Sequence, residues 1–305
     1  MATAATVVTT ASIPEACNAS IEVDTNPALA TPGADPLLPH LPKDSPLAHV
    51  RTALLTDGYC VLNEVLTPEE CAKAIDELWD FVEDVSTGTV RRSDPSSWYP
   101  SSAADDDDDP WPFTGYKAFS DMFQSLGAGW VMGPVREALA ERVFEPLYKT
   151  RELHCSKEGF TFHRPTVAVD ENAPPPPDSW VQSIVDRPGP MVIGQQQSKS
   201  VGEHFDQSHE CRGLHTIQSL VALEDQREGV DGCFLCYPKS HGGVHEQLTQ
   251  GIYRGRFAWV PLTDAEVERL EGEFGLSSKR LYVSKGDVIL WRSDLVHAAI
   301  PPAGR

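Results

Sequence analysis

The sequence predicts a mainly β fold, a sandwich or barrel, with helices flanking it. Two patterns carry that prediction. From about residue 190 onward, short apolar runs alternate with turn residues, at the spacing of a sheet built from short strands. Upstream, apolar residues recur at intervals of three and four, as in helices that lay one face on such a sheet. The chain has 305 residues, 40% of them hydrophobic and 23% charged. That is enough for one sizeable core, and the balance excludes a wholly disordered chain.

Taken in order, residues 1–45 are rich in Ala, Thr and Pro and read as a disordered N-terminal tail. A single domain is expected over 46–305, helical over 46–150 and barrel-like over 151–305. Gly58-Tyr59-Cys60-Val61-Leu62 is a short strand candidate. Thr67 can cap the following helix, Pro68 suits its first position, and Glu70 completes a capping box. Ile75, Leu78, Trp79, Val82 and Val85 then mark one helical face. The segment 86–120 is irregular and holds the run Asp105–Asp109. It lacks the turning Gly of a calcium loop, so it reads as a solvated acidic loop. Val135, Leu139 and Val143 form a second helical stripe after Pro134. Pro174–Pro177 reads as an exposed polyproline spacer. Strand candidates follow at Met191–Ile193, Thr216–Leu223, Cys233–Tyr237, Leu281–Val283 and Val288–Trp291.

Lys and Arg number 25 against 45 Asp and Glu, a formal charge of -20. Such a surface repels phosphate backbones and anionic lipid heads, so the expected partner is a small molecule, not nucleic acid or membrane. No apolar run is long enough for a membrane-spanning helix. The cysteines number seven, an odd count in a chain of this size. With no secretory leader, this argues against a disulfide scaffold and for the cytoplasm. The Ala/Thr-rich start is compatible with an organellar leader, although Glu15, Glu22 and Asp24 argue against one.

The chemistry is carried by Glu203-His204-Phe205-Asp206-Gln207. In an extended chain His204 and Asp206 project from the same face and can grip one metal ion, while Phe205 points the other way. A triplet of this kind arises by chance in a chain with 10 His and 45 acidic residues, so a distant partner must support it. Gly286–Trp291 reads as a turn into an apolar strand leading to His297, with Arg305 beyond. Two histidines and one carboxylate bind one face of Fe(II) and leave three positions open. A 2-oxo acid can fill two of them and O₂ the third. An Arg fork can hold the distal carboxylate of that acid in two parallel hydrogen bonds.

At these residues the chain resembles the phytanoyl-CoA dioxygenase family of Fe(II)/2-oxoglutarate oxygenases. The resemblance spans roughly residues 50–305. It includes Asp57–Leu62 followed by Leu66–Glu70, the His204-Phe205-Asp206 triplet, Leu220–Asp225, Asp231–His241, Lys285-Gly286-Asp287 and His297…Arg305. It implies a double-stranded β-helix, a cupin-like jelly-roll barrel with flanking helices. It implies iron held by His204, Asp206 and His297, with 2-oxoglutarate anchored by Arg305 and ascorbate keeping the iron reduced. The implied reaction is hydroxylation of a small organic substrate, coupled to decarboxylation of 2-oxoglutarate to succinate and CO₂. Related halogenases carry a small residue at the carboxylate position, so Asp206 favours hydroxylation. The sequence departs from the family at Lys239, which stands where Gly is usual in Pro-Gly-Ser-His. The family's barrel also runs on past the arginine, so further residues beyond Arg305 are expected.

Other readings compete. Cys233, Cys236, His241 and His245 have the types and local spacing of a structural zinc site. Yet two cysteines three apart on a strand face opposite sides. A jelly roll with intact ligands can also serve as a catalytically silent binding protein. His209 and His215 read as polar or substrate-lining residues and His241 as a residue fixing a turn. Gln195, Gln196 and Gln197 read as surface amides. Trp180 and Trp291 read as core, with Trp291 also placed to wall a pocket.

Overall fold

The computed structural model describes residues 5–12, 37–98, 110–112, 122–123, 127–156, 159–162, 202–250 and 259–300. Its strands are β1 (Ala5–Ser12), β2 (Tyr59–Leu62), β3 (Met122–Phe123), β4 (His154–Cys155), β5 (Phe160–Phe162), β6 (His204–Phe205), β7 (Ile217–Ala222), β8 (Cys233–Cys236), β9 (Val260–Pro261), β10 (Lys279–Leu281), β11 (Val288–Arg292) and β12 (His297–Ile300). Its α-helical segments are α1 (Ala48–Thr56), α2 (Pro68–Val85), α3 (Ala128–Val131), α4 (Gly133–Leu139), α5 (Glu145–Tyr148), α6 (Gly243–Thr249) and α7 (Asp264–Gly272). A π turn over Ala140–Phe144 joins α4 to α5.

The strands form two antiparallel sheets. The larger runs β2-β11-β7-β1-β5-β3, with β4 on β1; the smaller runs β10-β8-β12-β6-β9. Together with the flanking helices they make the jelly-roll arrangement expected from the sequence, although no strand pairing among the described residues closes the sheets into a continuous barrel.

Strand alternation sorts the apolar residues into three layers. On β11, Val288 and Leu290 join the core beneath α1 and α2, with Ile217 and Val221 of β7. Ile289 and Trp291 point the other way, toward Phe234 and Cys236 of β8 and Leu281 of β10. Leu235, on the opposite face of β8, packs with Phe205, Leu248 of α6 and Leu270 of α7. Strand β11 is therefore apolar from Val288 to Trp291 because both its faces are covered. An aromatic cluster fills the helical side, with the Trp79 and Phe162 rings 4.7 Å apart and the Trp79 and Trp98 rings 4.9 Å apart.

The second helix begins as expected. The Thr67 hydroxyl accepts from the Glu70 N–H, and the Glu70 carboxylate accepts from the Thr67 N–H at 2.9 Å. Arg142 donates to both oxygens of Glu70, at 2.7 and 2.6 Å. The helix start is tied to the β11 turn, since Val65 and Leu66 donate their N–H groups to the Gly286 carbonyl at 2.9 and 3.1 Å. A Cβ at Gly286 would collide with the Leu66 carbonyl oxygen, and φ there is +87°, so this close approach requires glycine.

Two stretches of the segment expected as a tail are parts of the fold. The backbone of β1 pairs with β7 from Thr6↔Ala222 to Ala11↔Ile217, and Leu37 and Leu41 are buried. A Thr/Val-rich run suits extended backbone, but its Ala and Thr content alone does not announce a distant strand as its partner. Asp105–Asp109, Pro174–Pro177 and Met191–Ile193 lie outside the described residues. Among those described, no helix is long and apolar enough to cross a membrane.

Lys239 adopts φ +69°, a left-handed conformation that strains any side chain with a Cβ. Lys239→Gly should therefore stabilise the fold by roughly 0.5–1 kcal/mol, the relief of strain less the entropic cost of glycine. Chemical denaturation checks this. The Arg142 guanidinium and the Thr67 N–H hold the Glu70 carboxyl at about 2, below its usual 4.5. A depressed carboxylate stabilises above its unfolded value, and that contribution is lost as pH falls through the folded one. Denaturation at pH 5, 4 and 3 should show a shallower acid-side loss for Glu70→Gln than for the parent chain.

Candidate metal centre

Residues far apart in sequence are joined by a short antiparallel pairing. In the smaller sheet His204 of β6 lies opposite His297 of β12, and His297 lies opposite Cys236 of β8. Alternation sends Phe205 into the outer core, where it is fully buried, and leaves His204 and Asp206 on the inner face. The Asp206 N–H donates to the Ser293 carbonyl at 3.0 Å, so the end of β6 is fastened to the turn that leads into β12.

That turn is built from buried polar groups. Arg292 and Asp294 form a two-point ion pair at 2.7 and 2.8 Å, and both are buried. Asp294 also accepts from the Gly242 N–H at 3.0 Å. The Ser293 hydroxyl donates to Gln207 Oε1 at 2.7 Å, and the Val296 N–H donates to the Ser240 hydroxyl at 2.8 Å. Each group in this ring has a partner, as burial demands, and together they aim His297 at the triplet.

The metal-capable atoms of His204, Asp206 and His297 all lie within 4.8 Å of one another. His204 Nε2 is 3.7 Å from Asp206 Oδ1, and His297 Nε2 is 3.3 Å from Asp206 Oδ2. The two imidazole rings are 4.3 Å apart. Both Nδ1 atoms face backbone carbonyls, His204 at Gly202 O (2.8 Å) and His297 at Leu295 O (3.0 Å). A carbonyl can only accept, so each Nδ1 carries the proton and each Nε2 turns its lone pair toward Asp206. This is the tautomer a metal ligand needs, with its second nitrogen anchored. Burial pushes the His204 imidazole down to about 4, and the facing His297 adds to the shift. Burial opposes ionisation of Asp206, but the two facing imidazoles and the N–H donated by Gln218 outweigh it and hold the carboxyl well below the usual range. Two imidazoles presenting Nε2 and an ionised carboxylate, converging on one point, are the donor set of a divalent metal site.

Aromatic walls surround it. The Phe234 ring stacks on His297 at 5.6 Å, Trp291 lies 5.3 Å from His297, and Trp259 lies 5.9 Å from His204. Gln218 of β7 donates to Asp206 Oδ2 at 2.7 Å. Sequence reasoning placed Trp291 but missed Gln218, Phe234 and Trp259. A polar residue alternating into an apolar strand was the available signal for Gln218.

The residues of the alternative zinc site do not assemble. All four are described, yet the group of metal-capable side chains that converges is His204, Asp206 and His297. Cys236 faces the space between the sheets with Phe234, and strand alternation sends Cys233 to the other face. His245 is buried, its Nε2 donating to the Gln207 carbonyl at 3.1 Å. His241 packs under the left-handed turn at Gly58 and faces the Leu55 carbonyl at 3.3 Å, consistent with fixing a turn. His215 Nε2 meets the Arg212 carbonyl at 3.0 Å, and neither it nor His209 joins the triad. Cys60, Cys71, Cys155, Cys211, Cys233 and Cys236 are free thiols. Arg305, Trp180 and Gln195–Gln197 lie outside the described residues.

A sequence model of phytanoyl-CoA dioxygenase (PhyH) matches residues 54–302. The chain belongs to the phytanoyl-CoA dioxygenase family. It is accordingly an Fe(II)- and 2-oxoglutarate-dependent oxygenase, with the cofactors that the sequence resemblance implied. A putative phytanoyl-CoA dioxygenase of Dictyostelium discoideum is 22% identical over 261 residues, covering 80% of this chain and 68% of its own length. Similar solved structures include the non-heme alpha ketoglutarate dependent carbocyclase SnoK from nogalamycin biosynthesis. It is 11% identical, with TM-score 0.34, and the match covers 84% of this chain and 78% of that one. They also include the epimerase SnoN in complex with Fe3+, alpha ketoglutarate and nogalamycin RO. It is 12% identical, with TM-score 0.36 and the same coverage.

In this family member the Arg292–Asp294 pair is a stringent test of how His297 is held. Removing one partner strands a buried charge, so Asp294→Ala should cost about 3–5 kcal/mol of folding stability. Urea denaturation reads that loss directly.

Proposed function

We propose that this chain hydroxylates a small organic substrate at an iron held by His204, Asp206 and His297. The observation that carries the reading is the convergence of two Nε2 lone pairs and one carboxylate, each imidazole anchored through Nδ1. When bound, the iron supplies O₂ activation coupled to decarboxylation of 2-oxoglutarate to succinate and CO₂. The chain's own groups do the rest. The Gly202 and Leu295 carbonyls accept from Nδ1 and hold both imidazoles in orientation. Phe234, Trp291 and Trp259 line the approach, exclude water and position the C–H bond. Asp206, in place of a small residue, supports hydroxylation over halogenation. Arg305 is proposed to anchor the distal carboxylate of 2-oxoglutarate by its planar fork.

Incubation with Fe(II), ascorbate and labelled 2-oxoglutarate against a metabolite library should release succinate with a matching hydroxylated product. His204→Ala, Asp206→Ala and His297→Ala should each abolish turnover, and activity surviving in all three would refute the assignment. Arg305→Ala should mainly raise the KM for 2-oxoglutarate. An unchanged KM would remove Arg305 from that role.

A further inference from the structure

Gln218 stands on the inner face of β7, the face that Leu220 and Ala222 turn toward the opposite sheet. Its strand neighbours Ile217 and Val221 pack into the helical core. The side chain is only 7% exposed, and its Nε2 lies 2.7 Å from Asp206 Oδ2. A carboxylate only accepts, so the amide nitrogen must face it, which settles the orientation of the amide. The carbonyl oxygen of the same amide is then also placed beside the triad. Among the described residues that oxygen is buried with no hydrogen-bond partner. An unpaired buried acceptor costs free energy, so a strand whose other inner residues are apolar has no packing reason to keep one.

The two ends of the amide do different things. The N–H end takes up Oδ2, the oxygen that also faces His297 at 3.3 Å, while Oδ1 faces His204 at 3.7 Å. A carboxylate with one oxygen held by a short charge-assisted hydrogen bond is biased toward meeting a metal through a single atom. One-atom ligation is what leaves three positions open on a two-His, one-carboxylate centre. The carbonyl end presents an acceptor that water or a hydroxyl in one of those positions can satisfy.

We propose that Gln218 is a positioning residue, keeping Asp206 a one-oxygen ligand through its N–H while its carbonyl oxygen accepts from a water or hydroxyl at the open side of the metal. The proposal rests on the reading of His204, Asp206 and His297 as the metal ligands.

Co(II) is the probe, added to the metal-free full chain. Gln218→Met fills the space without either hydrogen bond, and Gln218→Asn withdraws the amide from Asp206 while staying polar. Three quantities are read: the Kd for Co(II), the visible absorption of the bound ion, which responds to coordination number, and the Tm of the metal-free chain. Both variants should weaken Co(II) binding by about 10–100-fold and change the visible band. Gln218→Met removes the unpaired acceptor together with the donor to Asp206, two effects of opposite sign, so the metal-free Tm should stay close to that of the parent. A merely structural glutamine would lower that Tm and leave the band of the bound ion alone. A Kd within about threefold of the parent in both variants, where 10–100-fold is typical of such supporting residues, overturns the proposal. So does an affinity loss matched by a falling Tm in both. If the parent chain fails to bind Co(II), or Asp206→Ala binds it as well as the parent, the ligand assignment falls and this proposal with it. If those controls behave and only the Gln218 variants do not, the ligand assignment stands alone.

Discussion

The pairing of a two-residue strand with the first residue of another is the constraint on which the site depends. His204 lies opposite His297 across β6 and β12. Residues directly opposite on an antiparallel pair share a face and approach within about 5 Å at Cβ. That alone brings two imidazoles to a ring separation of 4.3 Å. A slip of one residue would turn either histidine into the outer core now occupied by Phe205 and Ala298. The apolar demand of that outer layer is thus what holds the metal-capable side chains in register.

A two-residue strand is too short to hold a register by itself. The surrounding polar groups supply what it lacks. The Ser293 carbonyl takes the Asp206 N–H, and the Ser293 N–H donates to Thr216 at 3.1 Å, so β6, β7 and the β11–β12 turn are linked through one residue. Beneath lies the Arg292–Asp294 pair. Replacing a buried ion pair with apolar groups is often neutral or stabilising, so its presence is poor evidence of a stability role. Its geometric role is clearer: it shapes the turn that delivers His297, and Asp294 reaches on to the Gly242 N–H, at the start of α6.

The three layers divide labour. The helical layer carries most of the apolar burial and the aromatic cluster around Trp79. The layer between the sheets holds Phe234, Trp291 and Cys236 around the triad. Its apolar character desolvates His204 and keeps it neutral. Metal-capable donors and a dry wall thus arise from one face of the same strands, because alternation leaves that face free once the other is committed to packing.

Much of this was legible in the chain. The capped helix α2, the strands β2, β7, β8 and β11, and the shared face of His204 and Asp206 follow from backbone periodicity and capping chemistry, which act over a few residues. The family resemblance named His297 as the third ligand. Tertiary structure alone decided that β1 enters the larger sheet within a segment read as tail, and that Gln218 reaches Asp206. It alone decided where His241 and His245 turn, toward the Leu55 and Gln207 carbonyls. The physical reason is the same in each case. Local pattern determines which way a side chain points along its own strand, whereas what it meets depends on register with a strand remote in sequence, and no local period encodes that.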